Sequence, residues 1–313
     1  MIISRKLTTS LGLLLAVSAA GLLSGCQNHD SGADIVPTVT IKPSTGGEVA
    51  ASDEEEDAGD SETDSGAAPA SSGGGGGTGS LIGKVVLASA VESLPPLYPA
   101  GAEIKDPSVC AAQAIPNERI VTGSSGGLAN VFIYLDKAPQ GAVIPAVPSD
   151  AAIFDQKGCV FLPHALVIRS GQTVHVLNDD PISHNTHSVP VRNSAFNQIV
   201  NPGDRKGVEM KYTKPEKEPV FVKCDIHPWM AAYHLPLDHP FAAVTDANGN
   251  FEIPDLPAGA HTFKIWQEAG GLLERAYKVE ISGGTPTEVT ITVEADKLAS
   301  YAGERPKVVS ISR

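Results

Sequence analysis

The seven residues from Cys224 to Met230 place a thiol, an imidazole and a thioether in one short loop. Their order is Cys-Asp-Ile-His-Pro-Trp-Met, which spaces Cys224, His227 and Met230 three residues apart. Two imidazoles, one thiolate and a weakly bound thioether form the ligand set that selects copper for electron transfer. The loop therefore provides most of a copper site, and a second His must come from another part of the chain.

Other metal groups agree less well with these residues. A zinc site needs further Cys or His at short spacing, whereas the group that follows His227 here is Met230. A binuclear copper centre needs a second Cys in the same loop, and positions 225–230 contain none. Attachment of a c-type haem needs the motif Cys-x-x-Cys-His, which the sequence lacks. The prediction is therefore one mononuclear copper site.

A second stretch, Ser-His-Asn-Thr-His at residues 183–187, supplies the missing His forty residues before Cys224. It follows the turn signal Asn-Asp-Asp-Pro at residues 178–181, which ends a predicted strand. A His at a strand end, a long gap and then Cys-x-x-His-x-x-Met resembles the ligand order of the cupredoxins, the blue copper proteins. The short spacing of these ligands, with Pro228 directly after His227, resembles the ligand loop of amicyanin within that family. The resemblance covers about residues 150–239 and includes, upstream, Cys159 to Pro163, Leu166 to Ile168, Gly171 and Thr173 to Leu177.

The resemblance implies a copper ion bound by four residues, namely His184, Cys224, His227 and Met230. It also implies a role for Asn185, which is similar to the Asn that ties the two ligand loops together in cupredoxins. Pro228 fixes φ and keeps the loop stiff. His187 is an alternative first ligand to His184. His164 departs from the cupredoxin pattern, and we interpret it as a hydrogen-bonded residue in preference to a ligand of a metal or a partner. Four further His belong to no motif: His175, His234, His239 and His261.

The first 26 residues are predicted to be a secretory signal, with Arg5 and Lys6 before an apolar run from Leu11 to Leu23. The run ends in Leu-Ser-Gly-Cys, which resembles a bacterial lipobox in which Cys26 is lipidated and becomes the mature N-terminus. Lipid chains would hold the protein at a membrane surface without a membrane span. Gln27 after the Cys resembles sorting to the outer membrane. An exported lipoprotein, periplasmic or at the cell surface, is the prediction.

Residues 27–80 are predicted to be a disordered acidic and Gly/Ser-rich linker because they cannot bury enough apolar surface to fold. This segment contains eleven Asp or Glu and one Lys, so it contributes −10 to the net charge of −13. The remainder of the chain is nearly balanced. A nucleic-acid partner is not expected, since such binding needs a basic face.

Of the four cysteines, Cys26 is assigned to lipid and Cys224 to copper. Cys110 and Cys159 remain, and structural disulfides are expected in exported proteins. We predict that they pair and close a loop of about fifty residues, which the chain-entropy account values at about 4 kcal/mol.

The predicted fold class is all-β. No long stretch has strong helical periodicity, and ten runs rich in β-branched and aromatic residues lie between turn signals. These predicted strands are Leu81 to Leu87, Ala129 to Leu135, Ala165 to Arg169, Thr173 to Leu177, Val208 to Tyr212, Pro219 to Lys223, Met230 to Leu235, His261 to Trp266, Ala276 to Ile281 and Glu288 to Val293.

Residues 242–263 resemble a different family, the carboxypeptidase regulatory-like (transthyretin-like) sandwich. In that family, strands like those predicted near residues 81 and 129 come shortly before such a stretch, whereas about a hundred residues intervene here. We therefore predict a host sandwich of residues 81–149 and 240–298 with a cupredoxin of residues 150–239 inserted. Two consecutive domains are the alternative, and residues 299–313 form a short polar tail.

The function that these features favour is a lipid-anchored blue copper protein that carries single electrons between redox partner proteins at the membrane. It is not expected to be an enzyme, because the sequence has no nucleophile elbow, phosphate loop or second cluster of His. Two alternatives stay open. One is copper storage or delivery, and the other is a structural or carbohydrate-binding surface lipoprotein with a vestigial cupredoxin.

Overall fold

The computed structural model of the chain describes residues 76–91 and 94–299. The regular secondary structure of this part of the chain is almost all β-strand, which confirms the all-β fold class. The sixteen strands found there are β1 (Thr78–Leu87), β2 (Phe132–Leu135), β3 (Ala152–Lys157), β4 (Val160–Leu162), β5 (Ala165–Arg169), β6 (Thr173–Val176), β7 (His184–Val189), β8 (Asn197–Val200), β9 (Val208–Lys211), β10 (Val220–Lys223), β11 (Ala231–Leu237), β12 (Ala242–Val244), β13 (Asn250–Pro257), β14 (Gly259–Gln267), β15 (Gly271–Ile281) and β16 (Thr287–Val293).

The helices of residues 76–91 and 94–299 are single turns: α1 (Pro107–Cys110), α2 (Asp296–Ala299) and a 3₁₀ turn at Ser124–Gly126. None of them is long and apolar enough to cross a membrane. The predicted signal segment with Cys26, most of the predicted linker and the predicted tail beyond residue 299 lie outside the described residues. Since β1 begins at Thr78, the last residues assigned to the linker belong to a strand.

Strands β3 to β11 form one sandwich, which we call the central sandwich. Its larger sheet has the order β5-β11-β10-β7-β8, and its smaller sheet has the order β4-β3-β6-β9. Side chains from both sheets meet in one buried core, including Phe154, Phe161, Ile168 and Val222. The pairs β5–β11 and β3–β6 are parallel, and the other pairs of this sandwich are antiparallel.

The remaining strands form a second sandwich, the flanking sandwich, with one sheet of order β13-β1-β16 and one of order β12-β2-β14-β15. Its core includes Leu81, Val85, Ile133, Ile253 and Phe263. Strand β2 pairs with β12 and β14, so strands from before and after the central segment share a sheet. The domain limits proposed from the sequence stay a prediction.

The two sandwiches share an apolar contact between β5 and β11 on one side and β2 and β14 on the other. Trp266 lies at its centre, with ring centroids 5.8 Å from Phe132 and 4.9 Å from Tyr233. The Tyr134 hydroxyl donates to the Lys217 carbonyl at 2.9 Å across the same contact. The buried residues of this cluster are Phe132, Tyr134, Ala165, Tyr233, Leu235, Leu237 and Trp266.

The connection between β1 and β2 contains a segment that packs on the central sandwich. We call residues 97–115 the strap. Its ends are held together by backbone hydrogen bonds between Leu97 and Ile115 and between Ile115 and Tyr98, each 2.9 Å long. A disulfide joins Cys110 to Cys159 with a Cα–Cα distance of 5.2 Å. The strap, which the sequence assigns to the host sandwich, therefore contributes Cys110 and Ile115 to the core of the central one.

A buried charge cluster centred on His164 lies where the flanking sandwich meets the central one. Nε2 of His164 is 2.6 Å from a carboxylate oxygen of Glu268, in the turn between β14 and β15, and Nδ1 is 3.4 Å from Glu118. Burial lowers the pKa of His164, but the negative charge of Glu268 and the contacts with both carboxylates outweigh it and raise the pKa to about 10. His164 is thus a buried cation between two carboxylates.

Replacement of His164 with Leu is expected to lower the free energy of unfolding at pH 7 by about 3–5 kcal/mol, because it leaves Glu268 and Glu118 without their cation. A His with a raised pKa stabilises the fold fully below about pH 6.5, its unfolded pKa, and this stabilisation is lost as the pH rises towards 10. Urea denaturation from pH 6 to 10 should therefore show a decline in the wild type that the variant lacks. The control is His175→Leu, since His175 is half-exposed and 3.9 Å from Glu209. Parallel pH curves for wild type and the His164 variant would contradict this account.

Candidate metal centre

The ends of two neighbouring strands bring the predicted ligands together. Strands β7 and β10 are antiparallel, with His187 opposite Lys223. His184 is the first residue of β7, and Cys224 follows the last residue of β10. Because antiparallel strands place the start of one beside the end of the other, His184 and Cys224 meet at the same edge of the sheet.

Three buried side chains converge at this edge. Nδ1 of His184 lies 2.9 Å from Nδ1 of His227, and Sγ of Cys224 lies 3.9 Å from Nδ1 of His227. One ligand atom from each residue lies within 4.8 Å of the others, and both imidazoles are fully buried. Cys224 is also the free thiol of the described residues.

The outer nitrogen of each imidazole contacts a carboxylate. His184 Nε2 lies 2.8 Å from Asp180, and His227 Nε2 lies 2.9 Å from Asp106. Asp180 is held in turn by N–H groups of Gly158 and Cys159, at 2.6 and 2.8 Å. Carboxylates at the outer nitrogen are the usual means of fixing the tautomer and orientation of a metal-binding His.

These contacts leave the two inner nitrogens facing each other. If Nε2 of each ring donates its N–H to a carboxylate, Nδ1 of each neutral ring carries a lone pair. Two lone pairs at 2.9 Å repel unless a cation lies between them, or unless one ring takes an extra proton. A first-row metal bonded to two imidazoles at about 2.0–2.1 Å holds their nitrogens about 3 Å apart. The His184–His227 pair and the Cys224 thiol therefore fit a single soft-ligand metal ion.

The environment of Cys224 favours its thiolate. In the metal-free protein, burial raises the pKa of the thiol, but hydrogen bonds from the His184 and His227 rings, where a ring carries a proton on Nδ1, and from the backbone N–H groups of Asn185 and His227 outweigh burial and lower the pKa to about 6. The two backbone N–H groups donate to Sγ at 3.5 and 3.3 Å. A buried thiolate with such donors is ready to bind a metal without further rearrangement of the backbone.

Asn185 connects the strand of His184 to the loop of Cys224. Its side-chain oxygen accepts the backbone N–H groups of Asp225 at 2.7 Å and Ile226 at 3.3 Å, and it lies 3.3 Å from the Cys224 Sγ. Its side-chain nitrogen donates to Asn197 at 2.8 Å and to the Asp225 carboxylate at 3.1 Å. Asn185 thus joins the two ligand segments through four side-chain contacts.

The loop after His227 is a tight turn. The Met230 N–H donates to the His227 carbonyl at 3.0 Å, with Pro228 at the second position, where its fixed φ suits a turn. Met230 is buried in the same core as Cys224, and its backbone oxygen accepts the Cys224 N–H at 3.3 Å. Trp229 lies against the His227 ring, with centroids 5.3 Å apart. The turn therefore fixes the positions of His227 and Met230 relative to Cys224.

The structure does not bring His187, the alternative ligand, to the cluster. His187 is three residues from His184 on one strand, so it points to the opposite face, where it contacts Asp225 at 2.9 Å. The other His of residues 76–91 and 94–299 lie elsewhere too: His234, for example, is buried against Tyr212, at 3.2 Å, and burial lowers its pKa to about 3.

Sequence reasoning missed Asp180 and Asp106, the two carboxylates at the outer nitrogens. Asp180 lies four residues before His184 in the turn Asn-Asp-Asp-Pro, and this proximity is a signal that could have identified it. Asp106 is 121 residues from His227 and has no such signal. Cys159, Asp180 and His184 form a second group of ligand types, but the sulfur of Cys159 is in the disulfide.

No protein-family model matches the chain, and no curated protein matches it. Solved structures that the chain resembles include three proteins. They are a Cu-containing nitrite reductase from Thermus scotoductus SA-01 (22% identity over 32% of this chain and 25% of that one, TM-score 0.26), a purple cupredoxin from Nitrosopumilus maritimus (24% identity over 28% of this chain and 99% of that one, TM-score 0.23) and a reduced amicyanin variant (19% identity over 30% of this chain and 97% of that one, TM-score 0.26). The chain spans a quarter of the length of the nitrite reductase. Evidence for a function therefore comes from the His184–Cys224–His227 cluster.

Replacement of Asn185 with Leu is expected to destabilise the metal-free protein by about 1–3 kcal/mol, because the N–H groups of Asp225 and Ile226 lose their acceptor. Urea denaturation monitored by Trp fluorescence measures this loss. Gln198→Leu is the matched control, since Gln198 is exposed on neighbouring β8 and should change stability by no more than about 0.5 kcal/mol. An equal effect of the two substitutions would show that Asn185 does not hold the loops together.

Proposed function

We propose that this chain is a copper protein that transfers single electrons between redox partners. One observation carries the proposal: the Nδ1 atoms of two buried imidazoles face each other at 2.9 Å beside a thiol of lowered pKa. Two imidazoles and a thiolate in a trigonal set, with a Met nearby, suit copper better than zinc, calcium or magnesium. Electron transfer then follows from the metal that the ligand set selects.

His184, Cys224 and His227 would hold the metal, and Met230 would supply a weak fourth ligand. Bound copper supplies a one-electron redox centre whose potential depends on the thiolate and on the axial group. Protein groups prepare the site: N–H donors stabilise the Sγ charge, the two carboxylates fix the imidazoles, and burial excludes water. A ligand set held in place before metal binding needs little rearrangement when an electron arrives or leaves.

We propose a carrier in preference to an enzyme, since a copper enzyme of the nitrite reductase or oxidase kind needs a separate metal that binds substrate. Among the described residues, the second group of ligand types is Cys159, Asp180 and His184. That group shares His184 with the first and includes a sulfur that is in a disulfide, so it does not supply a separate substrate-binding metal. The proposal keeps the lipid anchor at Cys26 and keeps the linker as a tether, shortened to residues 27–77 because β1 begins at Thr78. At about 5–6 Å × √n, about 51 residues give roughly 40 Å of reach from a membrane to redox partner proteins.

Titration of the purified metal-free protein with Cu²⁺ tests this proposal. We expect one ion per chain and an intense visible thiolate-to-copper absorption band, which Cys224→Ser abolishes because it removes the thiolate. Zn²⁺, which has no redox chemistry, should bind without colour and serves as the control. A colourless protein with one tightly bound Cu²⁺ would instead favour storage or delivery. No copper binding at all would favour the structural or carbohydrate-binding alternative.

Replacement of Met230 with Leu is expected to preserve copper binding and the visible band while raising the reduction potential. A weak thioether donor stabilises the more highly charged Cu²⁺, and Leu lacks that donor. Redox titration of the copper protein measures the change. Met210→Leu is the matched control, because Met210 is equally buried in the central core but lies on β9, outside the ligand loop. Equal potentials for the two variants would exclude Met230 as an axial ligand.

A further inference from the structure

We infer that the strap, residues 97–115, supports the metal centre by holding one of its imidazoles in position. Asp106 is a positioning residue that fixes the His227 ring, and the Cys110–Cys159 disulfide holds Asp106 in place. The inference rests on the proposed function only for the identity of the metal. It assigns a role to a segment that lies outside the part of the chain resembling cupredoxins.

The strap closes the outer edge of the His227 ring. His227 is fully buried, whereas the side chain of its partner Asp106 is 36% exposed, so Asp106 lies between the imidazole and solvent. The Oδ2–Nε2 distance of 2.9 Å is that of a hydrogen bond. Tyr98, also in the strap, packs edge-on against Trp229 with centroids 5.4 Å apart. Both contacts fall on the turn that carries His227.

The local backbone aims the Asp106 carboxylate. Asp106 has φ 51° and ψ 53°, the left-handed conformation that Asp and Asn tolerate better than most residues. Its backbone oxygen accepts the N–H groups of Val109 at 3.0 Å and Cys110 at 2.9 Å, which closes the single turn α1. Cys110 of the disulfide is therefore only four positions after Asp106, and the intervening turn is hydrogen-bonded.

The other end of the disulfide lies in the support of the second imidazole. The Cys159 N–H donates to Asp180 at 2.8 Å, and the same carboxylate oxygen contacts His184 Nε2 at 2.8 Å. The Cys159 carbonyl also accepts the Trp229 indole N–H at 3.2 Å. One covalent link thus joins the two carboxylates that orient the two imidazoles.

The contact with Asp106 determines which nitrogen of the His227 ring faces the metal position. With Nε2–H bound to Asp106, Nδ1 is the nitrogen that faces His184 and Cys224. Without Asp106, the ring can change tautomer or rotate, and water can reach Nε2. Loss of a partner at the outer nitrogen typically costs 10- to 100-fold in metal affinity. We therefore expect Asp106 to contribute to the affinity and rigidity of the site without touching the metal.

The test compares Asp106→Gly with Asp106→Asn. Gly removes the side chain yet accepts the left-handed backbone, and Asn retains both the backbone preference and an acceptor oxygen for Nε2–H. Cu⁺ affinity is measured by competition with a chromophoric chelator in the full chain. We expect about 10- to 100-fold weaker binding for Asp106→Gly and a smaller loss for Asp106→Asn. Glu209→Ala, which removes a carboxylate facing a different His, should bind Cu⁺ as the wild type does.

A measurement on the metal-free protein separates positioning from general destabilisation. In ¹⁵N-labelled wild type, the Nε2–H resonance of His227 should be visible and exchange slowly with water, because the strap covers it. Asp106→Gly should lose this resonance, Asp106→Asn should keep it, and Cys110→Ser with Cys159→Ser should speed its exchange. If Asp106→Gly retains both the slowly exchanging resonance and wild-type Cu⁺ affinity, the inference is overturned.

These readouts also distinguish this inference from the proposed function. A wild-type protein without the visible band would refute blue-copper electron transfer, yet the His227 resonance would still report on the strap. A wild-type band together with an unaffected Asp106→Gly variant would refute the strap and leave the function. Should Asp106→Gly fail to fold, the exchange rate of the resonance in the double Cys variant decides: an unchanged rate overturns the role of the disulfide.

Discussion

The contact between His184 Nδ1 and His227 Nδ1, 2.9 Å apart in a buried position, is the constraint on which the rest of the candidate metal centre depends. When each outer nitrogen donates its N–H to a carboxylate, the two facing lone pairs repel unless a cation or an added proton lies between them. The protein sets this up by engaging each outer nitrogen with a carboxylate and by placing N–H donors around the Cys224 sulfur. These supports come from two strand ends, from the tight turn after His227 and from a loop held by the Cys110–Cys159 disulfide.

Strand β11 connects the ligand loop to the cores of both sandwiches. It follows Met230 directly and is buried on both faces, since Ala232 belongs to the central core while Tyr233 and Leu235 pack towards the flanking sandwich. A parallel pairing with β5 covers its edge and brings the buried cation His164 next to the same contact. The ligand loop therefore leads directly into a strand that packs against two cores, where movement would disturb both.

The sequence was most informative where physical chemistry is local. All ten predicted strands overlap strands of the structure. Runs of β-branched and aromatic residues that are bounded by turn residues are typical of strands. Strand β7, by contrast, was not predicted, since it is polar and its buried side chains are stabilised by partners that are distant in sequence. Strand β13 contains Pro254 and also escaped prediction. It lies at a sheet edge, where a missing N–H donor is tolerated. The loop of Cys224 and the His184 segment could be identified because their ligand types are chemically distinctive.

Asp106 and Asp180 differ from the ligands in this respect. A carboxylate that orients an imidazole needs only to reach one nitrogen, so no spacing rule connects it to the His, and Asp is common in turns for other reasons. Only the fold brings Asp106 across 121 positions to His227. Residues 150–239 contain all four ligands predicted from the resemblance, yet they contain neither the partner of the His227 outer nitrogen nor the partner of Cys159. The segment that resembles a cupredoxin is therefore smaller than the unit that builds the site, because the connection between two strands of the flanking sandwich completes it.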